Sequence, residues 1–267
     1  MEAGLACPDW PLCYGNFFTV NHMNLRVFLE WFHRLDAFLV GILILLQFIL
    51  SIVWRKFLPI WLPKSYSILL FLIIFQGLLG ALTVMNILAS ETVIGHLLTA
   101  FVLLITCIFI NHNLENNNSE KTIIWWKTVL TIPLFLTLMQ SVLGVRLSST
   151  WSAHLCLDFN QQCLILDTHR LFVIPTAIAI CAPIFISLFN RKLFFENWKL
   201  LIFLFILLIS QVVLGYLSLK TNLNEPAILV SHQLVASLLI ATLSALVFRK
   251  KSINISTYSN NSQLILN

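Results

Sequence analysis

Four histidines carry the chemistry that this sequence can do. His33 and His96 lie 63 positions apart, and so do His169 and His232. His33 and His169 are each followed by an arginine, Arg34 and Arg170, so one histidine-pair unit recurs at an offset of 136 residues. All four fall near the start of long apolar runs. An ionisable side chain inside lipid is costly and usually functional, and duplicated spacing argues against coincidence. Two imidazoles on parallel helices can meet a flat iron porphyrin from its two faces. For any one of the four, an interhelical hydrogen bond is the plainer alternative. Zinc or copper asks for further nitrogen or sulfur ligands packed nearby, and the sequence offers no such cluster. His22 and His112 sit at run boundaries and read as interfacial residues, and His154, beside Cys156, reads as a loop residue.

The elements that must position these histidines are membrane helices. Of 267 residues, 59% are hydrophobic and 10% charged, against about 25% charged in soluble domains. Seven runs are long enough to cross a bilayer, which takes about 20 apolar residues: roughly 35–54, 66–85, 93–112, 128–147, 169–189, 200–219 and 227–248. Helices are expected because lipid offers no partner to unpaired backbone groups. Pro133, Pro175 and Pro183 are expected to kink theirs. The fold class is therefore all-α, a polytopic membrane protein.

Charge gives the orientation. Arg55, Lys56, Lys64, Lys121, Lys127, Arg191, Lys192, Lys199, Arg249, Lys250 and Lys251 fall on one side, 11 of the 16 basic residues. The positive-inside rule makes that side cytoplasmic, so the net charge of +5 implies no nucleic-acid partner. The cysteine pairs Cys7/Cys13 and Cys156/Cys163 then face outward, where disulfides form. Cys107 and Cys181, within apolar runs, read as inert packing residues. The compact Cys7-Pro-Asp-Trp-Pro-Leu-Cys13 loop suits a structural bridge or a redox-active pair.

A second motif, Gln-x-x-Leu-Gly, occurs at Gln76–Gly80, Gln140–Gly144 and Gln211–Gly215. Gly80 and Gly215 are expected to let helix backbones approach closely. The repeat sets out two pseudo-repeated four-helix bundles: residues 1–115, then 116–251, with a polar, disordered tail at 252–267. The second unit has four helices and the first three. The sequence therefore predicts a further helix ahead of Cys7, through an upstream start or a loss.

The halves differ beside the first histidine. Glu30 precedes His33 by three residues and shares its face; the matching position before His169 is Leu166, with Asp167 off that face. Glu30 could act in acid–base or charge-stabilising chemistry, or simply suit a helix N-terminus. Asp36, matched by Phe172, reads as a partner of His33 or an interfacial charge. Arg34 and Arg170 could pair with porphyrin propionates.

Taken in order, Gly4-Leu5-Ala6-Cys7-Pro8-Asp9-Trp10-Pro11-Leu12-Cys13, Glu30-x-x-His33-Arg34, Gly95-His96, His169-Arg170 and Ser231-His232 resemble the haem A synthase family over nearly the whole chain. The resemblance implies an eight-helix protein of two bundles. It would oxidise a methyl group of haem O to the formyl group of haem A, used by cytochrome oxidase. His169 and His232 would bind a resident haem b; His33 and His96 would hold the substrate haem, with Glu30 required for chemistry. Gln76, Gly80, Gln211, Gly215, Arg34 and Arg170 would line the cofactors, and Cys7/Cys13 and Cys156/Cys163 match a subgroup with cysteines in both outer loops. Expected partners are membrane lipid, haem O, haem O synthase, an electron acceptor and a second copy of the chain. The expected location is the inner (plasma) membrane. The family's first helix has no counterpart in this sequence, nor has a first-half partner of Arg146. The competing reading is a di-haem b-type electron-transfer cytochrome without methyl chemistry, and a third is a haem transporter or chaperone.

Overall fold

The computed structural model describes residues 6–17, 20–115, 124–149 and 164–249. Within them lie seven helices of membrane-crossing length and apolarity: α1 (Leu25–Val53), α2 (Leu62–Met85), α3 (Ser90–Glu115), α4 (Ile124–Ser149), α5 (Leu164–Phe189), α6 (Arg191–Lys220) and α7 (Pro226–Phe248). The protein is an all-α, multi-pass membrane protein. Among the described residues the one departure from helix and turn is an isolated bridge between Cys13 and Asn16.

Helix α1 begins ten residues before the apolar run that announces it. Asn24 caps it, its side chain accepting the Val27 N–H at 3.0 Å. The polar turn Glu30–Asp36 breaks hydropathy without breaking the helix. Pro63 and Pro226 stand in the first turns of α2 and α7, where no backbone donor is needed. Pro133, Pro175 and Pro183 leave α4 and α5 continuous. One turn beyond Pro133, the Thr137 hydroxyl donates to the Pro133 carbonyl at 2.7 Å. Other buried hydroxyls, such as Ser141, likewise return to carbonyls of their own helix, so these donors need no partner from lipid.

Short connections make sequence neighbours antiparallel. The α2–α3 and α6–α7 turns are copies of each other. Ile87 and Leu88 have φ of 51° and 57°; Asn222 and Leu223 have 49° and 60°. In both, an N–H reaches back five residues: Leu88 to the Thr83 carbonyl at 2.8 Å and Leu223 to the Ser218 carbonyl at 2.9 Å. Consecutive left-handed residues without glycine are strained, so the surrounding packing must hold them.

Helices α4, α5, α6 and α7 close a ring of four, each packed on the next and α7 back on α4. Their shared core is aliphatic, with Leu130, Leu204, Ile240 and Leu243 fully buried. Helix α1 packs on α2 and α2 on α3, around a smaller cluster of Ile44, Leu62, Leu69 and Ile110. Helix α3 joins the two sets by lying against α4 and α7. Lipid tails are as apolar as leucine, so these contacts hold through packing and internal hydrogen bonds rather than expulsion of water. Cys107 is half-buried and Cys181 is exposed, both as free thiols. Cys181 therefore fills no core, contrary to expectation, because its face of α5 looks outward.

Candidate functional site

The four histidines arrive from α1, α3, α5 and α7, one helix apart in each half. His33 and His96 come together with ring centroids 6.4 Å apart and planes at 80°. Metal–imidazole bonds of about 2.0–2.1 Å on both sides, with each ring nitrogen about 1.1 Å from its ring centre, put two centroids about 6.3 Å apart. The spacing fits one metal between the rings. His169 and His232 stand within electrostatic reach of each other. One ring nitrogen of each pair, Nδ1 of His96 and Nδ1 of His232, is buried without a hydrogen-bond partner. A buried nitrogen left bare this way is costly and is available to a ligand. Among the described residues no group of three or more histidines, cysteines or carboxylates converges, so the donor set that zinc requires is not formed there. The residues present fit a planar metal macrocycle held by two imidazoles.

Each Gln-Gly stretch serves the histidine of the next helix. A Cβ on Gly80 would lie 3.3 Å from Cε1 of His96; on Gly144, 3.2 Å from Cε1 of His169; on Gly215, 3.1 Å from Cε1 of His232. The expectation for Gly80 and Gly215 was close backbone approach, and it is corrected here: an imidazole edge fills the space. The glutamines follow the rings. Gln140 donates to the His169 carbonyl at 2.8 Å and places its Nε2 3.2 Å from the ring Nδ1. Gln211 Nε2 lies 3.2 Å from Nε2 of His232. Gln140 and Gly144 carry the motif in the sequence, yet their place at His169 emerges only from the packing of α4 on α5.

Glu30 and Arg34 lie one turn apart on α1 and turn toward the cysteine loop. Cys7 and Cys13 form a disulfide, both buried against Val27. Glu30 Oε2 accepts the Cys7 N–H at 3.0 Å, and its Oε1 pairs with Arg34. Arg34 also donates to the carbonyls of Asp9 and Leu12, and the Trp31 indole donates to the Phe17 carbonyl. Asp9 closes the loop on itself, its carboxylate accepting the N–H groups of Tyr14 at 2.6 Å and Gly15 at 2.7 Å. The loop is thus a small stapled body docked on the end of α1 that carries His33.

The two arginines are therefore not equivalent. Arg34 commits three of its five N–H donors to the carbonyls of Asp9 and Leu12 and to Glu30, with its side chain 15% exposed. Arg170 is half exposed and makes a loose 3.9 Å contact with Asp167. Asp36 is exposed, as an interfacial charge would be. His22 stacks on Tyr14 at 4.4 Å beside the cysteine loop. Cys156, Cys163 and His154 lie outside the described residues, as does the tail at 252–267.

Known proteins share this arrangement in sequence. The family model COX15-CtaA, described as cytochrome oxidase assembly protein, matches residues 1–165. A heme A synthase from Shewanella oneidensis is 27% identical, across 91% of this chain and 87% of its own length. One from Halalkalibacterium halodurans is 27% identical across 92% of this chain and 87% of its own. One from Bacillus pumilus is 36% identical over a shorter stretch, 31% of this chain and 26% of that protein. The match takes in the stapled loop, the first histidine pair and the whole of α4, and the chain belongs to the COX15-CtaA family of cytochrome oxidase assembly proteins.

Proposed function

We propose that this protein is a haem A synthase, converting haem O to haem A by oxidising one porphyrin methyl group to a formyl group. The observation that carries the reading is the His33–His96 pair at a spacing suited to one iron, with Glu30 one turn before His33 where Leu166 stands before His169. Relatives named heme A synthase across most of the chain support it, and they favour it over a di-haem electron-transfer cytochrome.

In this reading haem O is the substrate, gripped by His33 and His96. His169 and His232 hold a resident haem b, which supplies one-electron transfer when bound. Methyl to formyl is a four-electron oxidation: two waters in turn give their oxygens to the carbon as four electrons and four protons leave it, and one water is then lost. The electrons leave to an external acceptor of the membrane. Glu30 stands one turn before His33. Its carboxylate is fixed by the Cys7 N–H and Arg34, so it presents oxygen lone pairs at one place. There it can accept a proton from the substrate edge or steady positive charge on it. The charge pattern supports placing the loop on the outer face of the inner membrane, where its disulfide is stable. Haem O synthase is the partner that would deliver the substrate.

Expression with haem O supplied, followed by pigment extraction, tests the function. Haem A or its hydroxymethyl precursor is expected. Unchanged haem O beside intact haem b would instead identify an electron-transfer cytochrome.

A further inference from the structure

Three separate helices present the same stretch to three separate histidines, and the geometry repeats more closely than the sequence around it. In each case the nearest ring atom to the glycine is Cε1, at 3.1–3.3 Å from a Cβ position, with Nδ1 at 3.7 Å. The ring edge therefore lies the same way at Gly80, Gly144 and Gly215. Gly77, on the same helix as Gly80, has nothing within 4 Å of its Cβ position. The close approach belongs to the motif's last glycine and not to glycine in these helices generally.

The glutamine one turn earlier meets the ring in two of the copies, Gln140 at His169 and Gln211 at His232. Oε1 of Gln76, Gln140 and Gln211 is buried without a partner in all three copies. A side-chain amide carries an acceptor and a donor on adjacent atoms. Turning over about its last bond, the Gln211 amide exchanges them at the His232 ring without moving the ring. A metal-bound histidine almost always gives its other N–H to a fixed acceptor, which sets ring orientation and basicity. The α2–α3 and α6–α7 turns fix the register between glycine and histidine, with the same pair of strained left-handed residues. The α4–α5 seat forms on a connection of different length, so the seat does not depend on the turn.

We propose that each Gln-x-x-x-Gly stretch is a seat for one haem-ligating imidazole: the glycine sets the plane of the ring and the glutamine amide holds one of its nitrogens. Gln140–Gly144 and Gln211–Gly215 seat the two ligands of haem b, and Gln76–Gly80 seats His96. These are positioning residues, acting through the histidines. The proposal rests on the haem reading above but makes its own demand, because that reading needs only the four histidines.

The test uses the full chain purified in detergent with its haem. Alanine raises helix propensity over glycine, so G144A and G215A harm the protein only through the ring. Both are expected to cut haem b per protein at least threefold or to convert its low-spin signal partly to high-spin. G77A should match wild type in both. Q211L and Q211E separate a seat from a mere filler of space. With the N–H acceptor removed the haem b potential should rise, and with a carboxylate acceptor it should fall, at similar haem content. Wild-type spectra and content in G144A and G215A, or equal potentials in Q211L and Q211E, overturn the seat. The haem reading stands or falls separately on H232A: haem b lost there with normal G144A and G215A sinks the seat alone, and haem b retained in H232A sinks both.

Discussion

The two halves place their histidines in different surroundings although they share one plan. In the second, α4–α7 close a ring, and His169 and His232 are half-buried, each lodged against a glycine. In the first, His96 is lodged the same way against Gly80, but His33 is exposed on α1. The first half also carries a stapled loop tied to α1 by Glu30, Trp31 and Arg34. In the proposed function the ringed pair keeps its haem and the pair beneath the loop exchanges it.

Variants of the ligands should break this comparison most visibly. H169A should remove nearly all haem b from the purified protein, while H33A should keep haem b and abolish haem A formation. Quantifying extracted haem types in both separates the sites; equal loss of haem b in the two would erase the distinction between halves.

Next in size is the loop. R34A removes two donors to loop carbonyls and the partner of Glu30. Hydrogen bonds to charged groups contribute about 1.5–3 kcal/mol each. The loop should become the first site cut in limited proteolysis, and haem A formation should fall at least tenfold. E30Q can still accept the Cys7 N–H, so its loop should stay protected while haem A formation stops. Proteolysis as fast in E30Q as in R34A would reduce Glu30 to a loop tie.

The smallest effect is expected at the other arginine. Arg170 and Asp167 are each at least half solvent-facing and 3.9 Å apart, and exposed pairs of this kind contribute about 0–1 kcal/mol. R170A should leave the melting temperature within error. Any change in haem b retention would then report a direct contact to the cofactor.

Much of this was legible in the sequence because membrane helices announce themselves. All seven spans follow from runs of apolar residues, and the four histidines from their spacing. The start of α1 escaped because Glu30, His33, Arg34 and Asp36 lower hydropathy over a turn that stays helical. The tie between Glu30 and Cys7 spans 23 residues and leaves no periodic trace. The strained turns at Ile87–Leu88 and Asn222–Leu223 carry none of the glycine signals by which left-handed residues are usually found. The role of Gln140 and Gly144 stayed hidden for a different reason. The motif was visible, but its target lies across a helix interface that no local pattern encodes.

The central claim is that paired imidazoles hold an iron porphyrin in each half. Low-temperature electron paramagnetic resonance of the purified full chain loaded with haem O tests it most directly. Two low-spin signals are expected, one lost in H232A and the other in H96A. Colourless protein, or a spectrum indifferent to both substitutions, would contradict it.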